Sequence, residues 1–138
     1  RKKRFAFLMP ALSDTVAVRD RFFESLKDEK NRQTESWVLG GLGYLHHPLR
    51  RAESQKYIRP SLELLQEIQI TGDIFFPTRW LGQTLGNYNN PEVTTIVNEF
   101  LDENPDYSKQ LGMKIRQSGD MALRSSEVLK KLSLQQNQ

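Results

Sequence analysis

The chain is predicted to be all-α: antiparallel helix pairs stacked as a HEAT- or armadillo-like α-α superhelix of about eight helices. Three observations lead there. Apolar residues recur at three- and four-residue steps along nearly the whole chain, and no stretch of appreciable length alternates apolar and polar residues with β-branched enrichment. Both tryptophans open the same frame: Trp37, Leu42-Gly43 and His47-Pro48 in one place, Trp80, Leu85-Gly86 and Asn90-Pro91 in the other, with a fainter echo from Phe5 through Leu12 to Ser13-Asp14. A frame used more than once marks a supersecondary unit that buries its apolar face against its neighbours. Short polar corners separate the helices, so consecutive helices pair antiparallel, and the pairs begin near residues 2, 34, 73 and 105.

Each element has its own justification. Phe5, Leu8, Met9 and Leu12 share one face of a first helix that ends near Pro10. Ser13 and Asp14 suit the N-cap of a second helix, because their side-chain oxygens accept from backbone N–H groups that a first turn leaves unpaired. Val18, Phe22 and Leu26 run along that helix, and the polar stretch Lys27 to Gln33 closes the first pair. Thr34 is the expected cap of a third helix carrying Trp37, Val38, Leu42 and Leu45 as far as the His47-Pro48 corner. A fourth is expected from about Leu49 to Ile70, kinked or cut in two at Pro60, with Gly72 as its stop. Pro77 suits the first turn of a fifth, which holds Trp80, Leu81 and Leu85. Val93, Ile96, Val97, Phe100 and Leu101 form the narrow stripe of a sixth that ends before Pro105. Tyr107, Leu111 and Ile115 mark a seventh, and Ser118-Gly119-Asp120 is expected to divide it from an eighth with Met121, Leu123, Val128, Leu129 and Leu132. Residues 1–134 then form one helical-repeat domain, and 135–138 a frayed tail.

Each tryptophan is expected to plug a seam between neighbouring pairs. Gly40, Gly41, Gly43, Gly82 and Gly86, which each cost a helix about 1 kcal/mol against alanine, imply backbones in close contact.

Composition bounds the function. Charged residues at 27% and a longest apolar run far short of the ~20 residues of a membrane span exclude a transmembrane segment. The net charge of +3 comes largely from Arg1-Lys2-Lys3-Arg4, with no basic stripe along a face, so no nucleic-acid partner is expected. Without cysteine there is no disulfide, thiolate metal site or cysteine nucleophile, and the compartment stays open. The start of the chain has neither an initiator methionine nor a secretory pattern, which suggests a C-terminal fragment of a larger polypeptide.

Catalytic patterns are missing too. The two histidines, His46 and His47, are adjacent and diverge by about 100° on a helix, so they do not chelate as an i, i+4 pair does. No G-x-S-x-G elbow, P-loop or dinucleotide fingerprint occurs. The remaining candidates are arginines and aromatics near the corners and the Pro60 kink: Tyr44, Arg50, Arg51, Tyr57, Arg59, Arg79 and Tyr88. Gathered on a concave face, they would hold a carboxylate in the fork of a guanidinium. Left on the surface of a helical slab, they are ordinary.

Three strings carry a resemblance. Arg19-Asp20-Arg21-Phe22-Phe23-Glu24-Ser25-Leu26-Lys27-Asp28, the stretch from Trp37-Val38-Leu39-Gly40-Gly41-Leu42-Gly43 to Pro48-Leu49-Arg50, and Glu67-Ile68-Gln69-Ile70-Thr71-Gly72-Asp73-Ile74-Phe75-Phe76-Pro77 resemble the C-terminal helical region of bacterial zinc aminopeptidases of the alanyl/puromycin-sensitive family. The similarity runs from about Arg4 to Arg124. That family's G-x-M-E-N strand and H-E-x-x-H zinc helix are not in the chain, so no catalytic or metal residue carries over and no cofactor belongs to this segment. The resemblance implies a domain that closes over an upstream zinc-bearing catalytic domain, its partner, and shapes a chamber for peptide substrates. The alternative is a free-standing HEAT-like scaffold that binds a protein partner along its concave face, with no enzymatic role.

Overall fold

A computed structural model describes residues 1–137, without the side chains of 121–123, 125 and 126. The described residues are all-α, with nine helices and no strand. They are α1 (Lys2–Leu12), α2 (Val16–Ser25), α3 (Glu35–Leu45), α4 (Arg51–Ser54), α5 (Ile58–Glu63), α6 (Leu65–Thr71), α7 (Phe76–Leu85), α8 (Pro91–Glu103) and α9 (Lys109–Gln136). Single 3₁₀ turns at Glu29–Arg32, Pro48–Arg50 and Gln55–Tyr57 carry the chain between some of them. Helices α1, α3, α7 and α9 lie each against the next, while α2 packs on α1, α5 on α7 and α8, and α8 on α9. The core runs through these contacts, from Phe22, Phe23 and Leu26 by way of Leu42, Leu45, Ile58 and Leu62 to Trp80, Val97, Phe100, Leu111 and Ile115.

The repeat is visible in burial. Forty-three residues separate Trp37 from Trp80, and in that frame Val38 and Leu81, Leu42 and Leu85, Leu45 and Tyr88, and Tyr57 and Phe100 are all buried pairs. The corners match as well. His47 and Asn90 both stand in extended backbone as N-caps, each followed by a proline in the first turn. The indoles themselves differ. Trp80 is fully buried, its Nε1–H donating to the Ser61 carbonyl at 3.1 Å and its ring edge-to-face with Phe76, whereas Trp37 is half-buried against Phe7.

Several boundaries differ from the sequence reading, each for a physical reason. The cap of α2 is Thr15; Ser13 instead closes a two-residue turn by accepting the Thr15 N–H on Oγ, and Asp14 is exposed. Thr34 does stand at the N-cap of α3, without a side-chain bond. The expected fourth helix is three short ones, with Pro60 in the first turn of α5, where a proline has no intrahelical bond to lose. Gly72 ends α6 in extended backbone, and space explains the glycine: a Cβ there would press on Phe76 Cδ1, the Ile68 carbonyl and Glu35 Oε2 at 2.7–3.0 Å. Ser118-Gly119-Asp120 does not divide the last element. It lies within the single 28-residue α9, where Gly119 is buried and an added Cβ would meet Val97 Cγ2 at 3.5 Å, an ordinary contact. Gln135 and Gln136 belong to α9, Gln138 lies outside the described residues, and the expected placement of Met121 and Leu123 falls on side chains that are not described.

The five glycines part company. A Cβ on Gly41 would overlap the Phe22 ring, and one on Gly43 would stand 3.0 Å from Gln83 Oε1, so these two do let α3 approach its neighbours closely. Gly40 has only ordinary contact with Leu8, and Gly82 has nothing within 4 Å. A Cβ on Gly86 would run into the Gly82 carbonyl one turn back.

Candidate functional site

The corner arginines are tied into the fold through backbone carbonyls. Arg50 follows the α3 corner and reaches back to the end of α1, donating to the carbonyls of Ala11 at 2.8 Å and Leu12 at 2.9 Å. Arg51 donates from Nε to the Asn87 carbonyl just past α7, and from Nη1 to Asn89 Oδ1 at 3.3 Å. Two further arginines do the same, and their partners gave no local signal. Arg19, buried, donates to the Ser13 carbonyl at 2.7 Å and pairs with Glu53 at 2.6 Å. Arg32, also buried, donates to the Leu26 carbonyl at 2.7 Å, with Glu67 3.3 Å away. The last carbonyls of a helix have no intrahelical partner and carry its negative end, so a planar guanidinium fork satisfies them and neutralises the dipole together.

Tyr57 and Tyr88 are buried and enclose His46. Tyr57 donates to Asp20 Oδ1 and stacks obliquely on Phe23, with ring centroids 5.1 Å apart. Tyr88 Oη and His46 Nδ1 share a hydrogen bond of 2.7 Å, and the imidazole stands edge-on to both phenols. Burial lowers the His46 pKa to about 3, so the ring is neutral across the physiological range. The same desolvation raises both tyrosines, with the Asp20 hydrogen bond adding to it at Tyr57. The Asp20 carboxyl is lowered, chiefly by its hydrogen bond to Lys56 and then by that from Tyr57. The two adjacent histidines part: His46 is a core residue, while His47 is exposed and accepts the Leu49 N–H on Nδ1 at 3.2 Å.

The other three candidates lie apart. Arg59 pairs with Glu103 and with Glu63 at 3.5 Å, its guanidinium 5.9 Å from the Phe100 ring. Arg79 is exposed and leans on Phe75 at 5.8 Å. Tyr44 is exposed on α3. Thus Arg50 and Arg51 share a corner, Tyr57 and Tyr88 share a buried cluster, and no single cavity among the described ones is lined by several of the seven.

A polar cleft of about 280 Å³ lies where α3 meets the α6–α7 turn, lined by Glu29, Arg32, Glu35, Thr71, Gly72 and Phe76. Glu35 Oε2 accepts the Asp73 N–H at 2.9 Å and Arg32 Nη1 donates to the Leu26 carbonyl, while the buried Arg32 Nη2, 3.3 Å from Glu67, has no hydrogen-bond partner among the described residues. Among the described residues no three His, Asp or Glu side chains are grouped to hold a metal ion. No described helix is long and apolar enough to cross a membrane. What the surface offers is apolar area: Phe5, Met9 and Leu12 on α1, and Val128, Leu129, Leu132 and Leu134 on α9, are all exposed. Exposed apolar faces of this kind suit packing against another body.

Comparison with protein-family models, with curated proteins and with solved structures gives no match for this chain.

Proposed function

We propose that the chain is the non-catalytic helical domain of a zinc metalloaminopeptidase of the alanyl/puromycin-sensitive type. In this reading its helix pairs stack as a HEAT-like superhelix over the upstream catalytic domain and narrow the chamber in which peptides are held. The observation that carries it is the set of three strings that resemble that family's C-terminal region. Their positions add support, because each contributes to a junction between elements. The first supplies α2, with Arg19 bound to the Ser13 carbonyl. The second supplies α3 and its corner, ending in Arg50, which holds the end of α1. The third supplies the α6–α7 turn, anchored by Glu35 on the Asp73 amide. Arg79 and Tyr44, the two exposed members of the candidate set, are the ones this reading assigns to peptide contact.

Two observations test the proposal. The reading frame upstream of Arg1 is expected to encode an H-E-x-x-H helix with a downstream glutamate; a frame without one leaves the free-standing scaffold. The isolated chain, supplied with zinc and aminoacyl-anilide substrates, is expected to give no chelator-sensitive turnover. Metal-dependent hydrolysis by these 138 residues overturns the division of labour.

A further inference from the structure

The outer face of α1 carries an apolar stripe that nothing in the described structure covers. Phe5, Met9 and Leu12 follow one another at four and three residues along that helix, with exposures of 62%, 52% and 43%, and Val16 continues the line into α2 at 42%. The neighbouring flank of α1, about 100° round through Leu8 and Ala11, is the one buried against the rest of the fold. Four cations, Arg1, Lys2, Lys3 and Arg4, stand exposed at one end of the stripe, and among the described residues none of them is within ion-pair distance of a carboxylate. At helical angles Arg1 and Lys2 fall on either side of the line through Phe5 and Met9. The stripe exposes on the order of 350 Å² of apolar side chain, within the range of a functional patch but below the ~800 Å² per partner of a standard stable interface. That area fits a single helix laid along α1 better than it fits the larger interface of a stable dimer.

We propose that this face docks an amphipathic helix whose apolar residues recur at i, i+3, i+4 and i+7 and whose flanks are acidic. Apolar burial on Phe5, Met9 and Leu12 supplies the contact, and carboxylates opposite Arg1 and Lys2 set orientation and partner choice.

The test uses the whole chain and two synthetic helical peptides with the same leucine stripe, one flanked by glutamates and one by lysines, followed by fluorescence anisotropy. The glutamate peptide is expected to bind, to weaken at least tenfold between 50 and 300 mM salt, and to exceed the lysine peptide at least tenfold. Met9→Glu and, independently, Phe5→Ser abolish binding while the circular dichroism stays that of the parent. Reversing Arg1 and Lys2 to glutamate inverts the preference between the peptides. Equal binding of both peptides, or undiminished binding by Met9→Glu, overturns the proposal. So does α1-dependent sedimentation with phosphatidylserine vesicles in place of peptide binding, or self-association through the stripe.

Discussion

Trp37 and Trp80 occupy the same place in a repeated frame, yet their surroundings predict unequal costs of substitution. Replacing Trp80 with phenylalanine removes the donor that satisfies the Ser61 carbonyl in a fully buried site, worth about 1 kcal/mol. The smaller ring also leaves a void against Phe76 and its neighbours, worth about 1–2 kcal/mol more. The total of ~2–3 kcal/mol is a large part of the 5–15 kcal/mol that holds a typical domain together. Trp37→Phe trims an indole that is already half in solvent and packed on Phe7, for about 0.5 kcal/mol. Urea unfolding reads the difference directly. With a slope of roughly 1–3 kcal/mol per molar, the Trp80 variant moves its midpoint down by about 1 M, and the Trp37 variant by a few tenths at most. Each variant also leaves one indole as reporter: Trp80 alone emits at shorter wavelength than Trp37 alone. Equal midpoint shifts, or a redder Trp80, would refute the assignment of Trp80 to the interior.

Three further perturbations follow. Gly41→Ala forces a methyl into the buried Phe22 ring and is expected to cost about 1–3 kcal/mol, whereas Gly82→Ala, with open space around it in the middle of α7, is expected to gain up to about 1 kcal/mol; a pair of thermal melts checks the opposite signs. Arg50→Met frees the Ala11 and Leu12 carbonyls and is expected to cost ~1–2 kcal/mol, with lysine recovering only part, because an ammonium lacks the planar fork; denaturation of the two variants against the parent reads this. The His46 ring takes its proton near pH 3 when folded and near 6.5 when unfolded, so the unfolded chain binds more protons between those values. Stability is therefore whole above pH 6.5 and declines as pH falls toward 3, by ~2 kcal/mol at pH 5; His46→Asn should flatten that part of the urea-midpoint profile.

How far the sequence was legible depended on how far apart the deciding partners lie. The all-helical class, the 3.6-residue stripes of α8 and the proline-led starts of α7 and α8 are local signals, and they read correctly. The Trp frame was legible too, and extending it by the same 43 residues would have paired Tyr57 with Phe100 as core positions. Ser118-Gly119-Asp120 misled because glycine is tolerated inside a helix as well as beyond its end, and α9 runs straight through Gly119. The corner arginines looked like carboxylate ligands because their carbonyl partners lie 36 to 39 residues away in sequence. Nothing local reveals that a guanidinium is occupied. Likewise His46 read as polar, since its neighbours Tyr57 and Tyr88 reach it only through the fold.

The central claim is that these helices shape access to a metal centre held elsewhere in the polypeptide. The most direct measurement compares the proposed full-length aminopeptidase with a version lacking residues 1–138, scoring bound zinc and hydrolysis of an aminoacyl-anilide against peptides of increasing length. The account predicts that the shortened protein keeps its zinc and some turnover of the anilide while losing its discrimination among peptide lengths. Loss of the zinc on truncation, or an unchanged length preference, would contradict it.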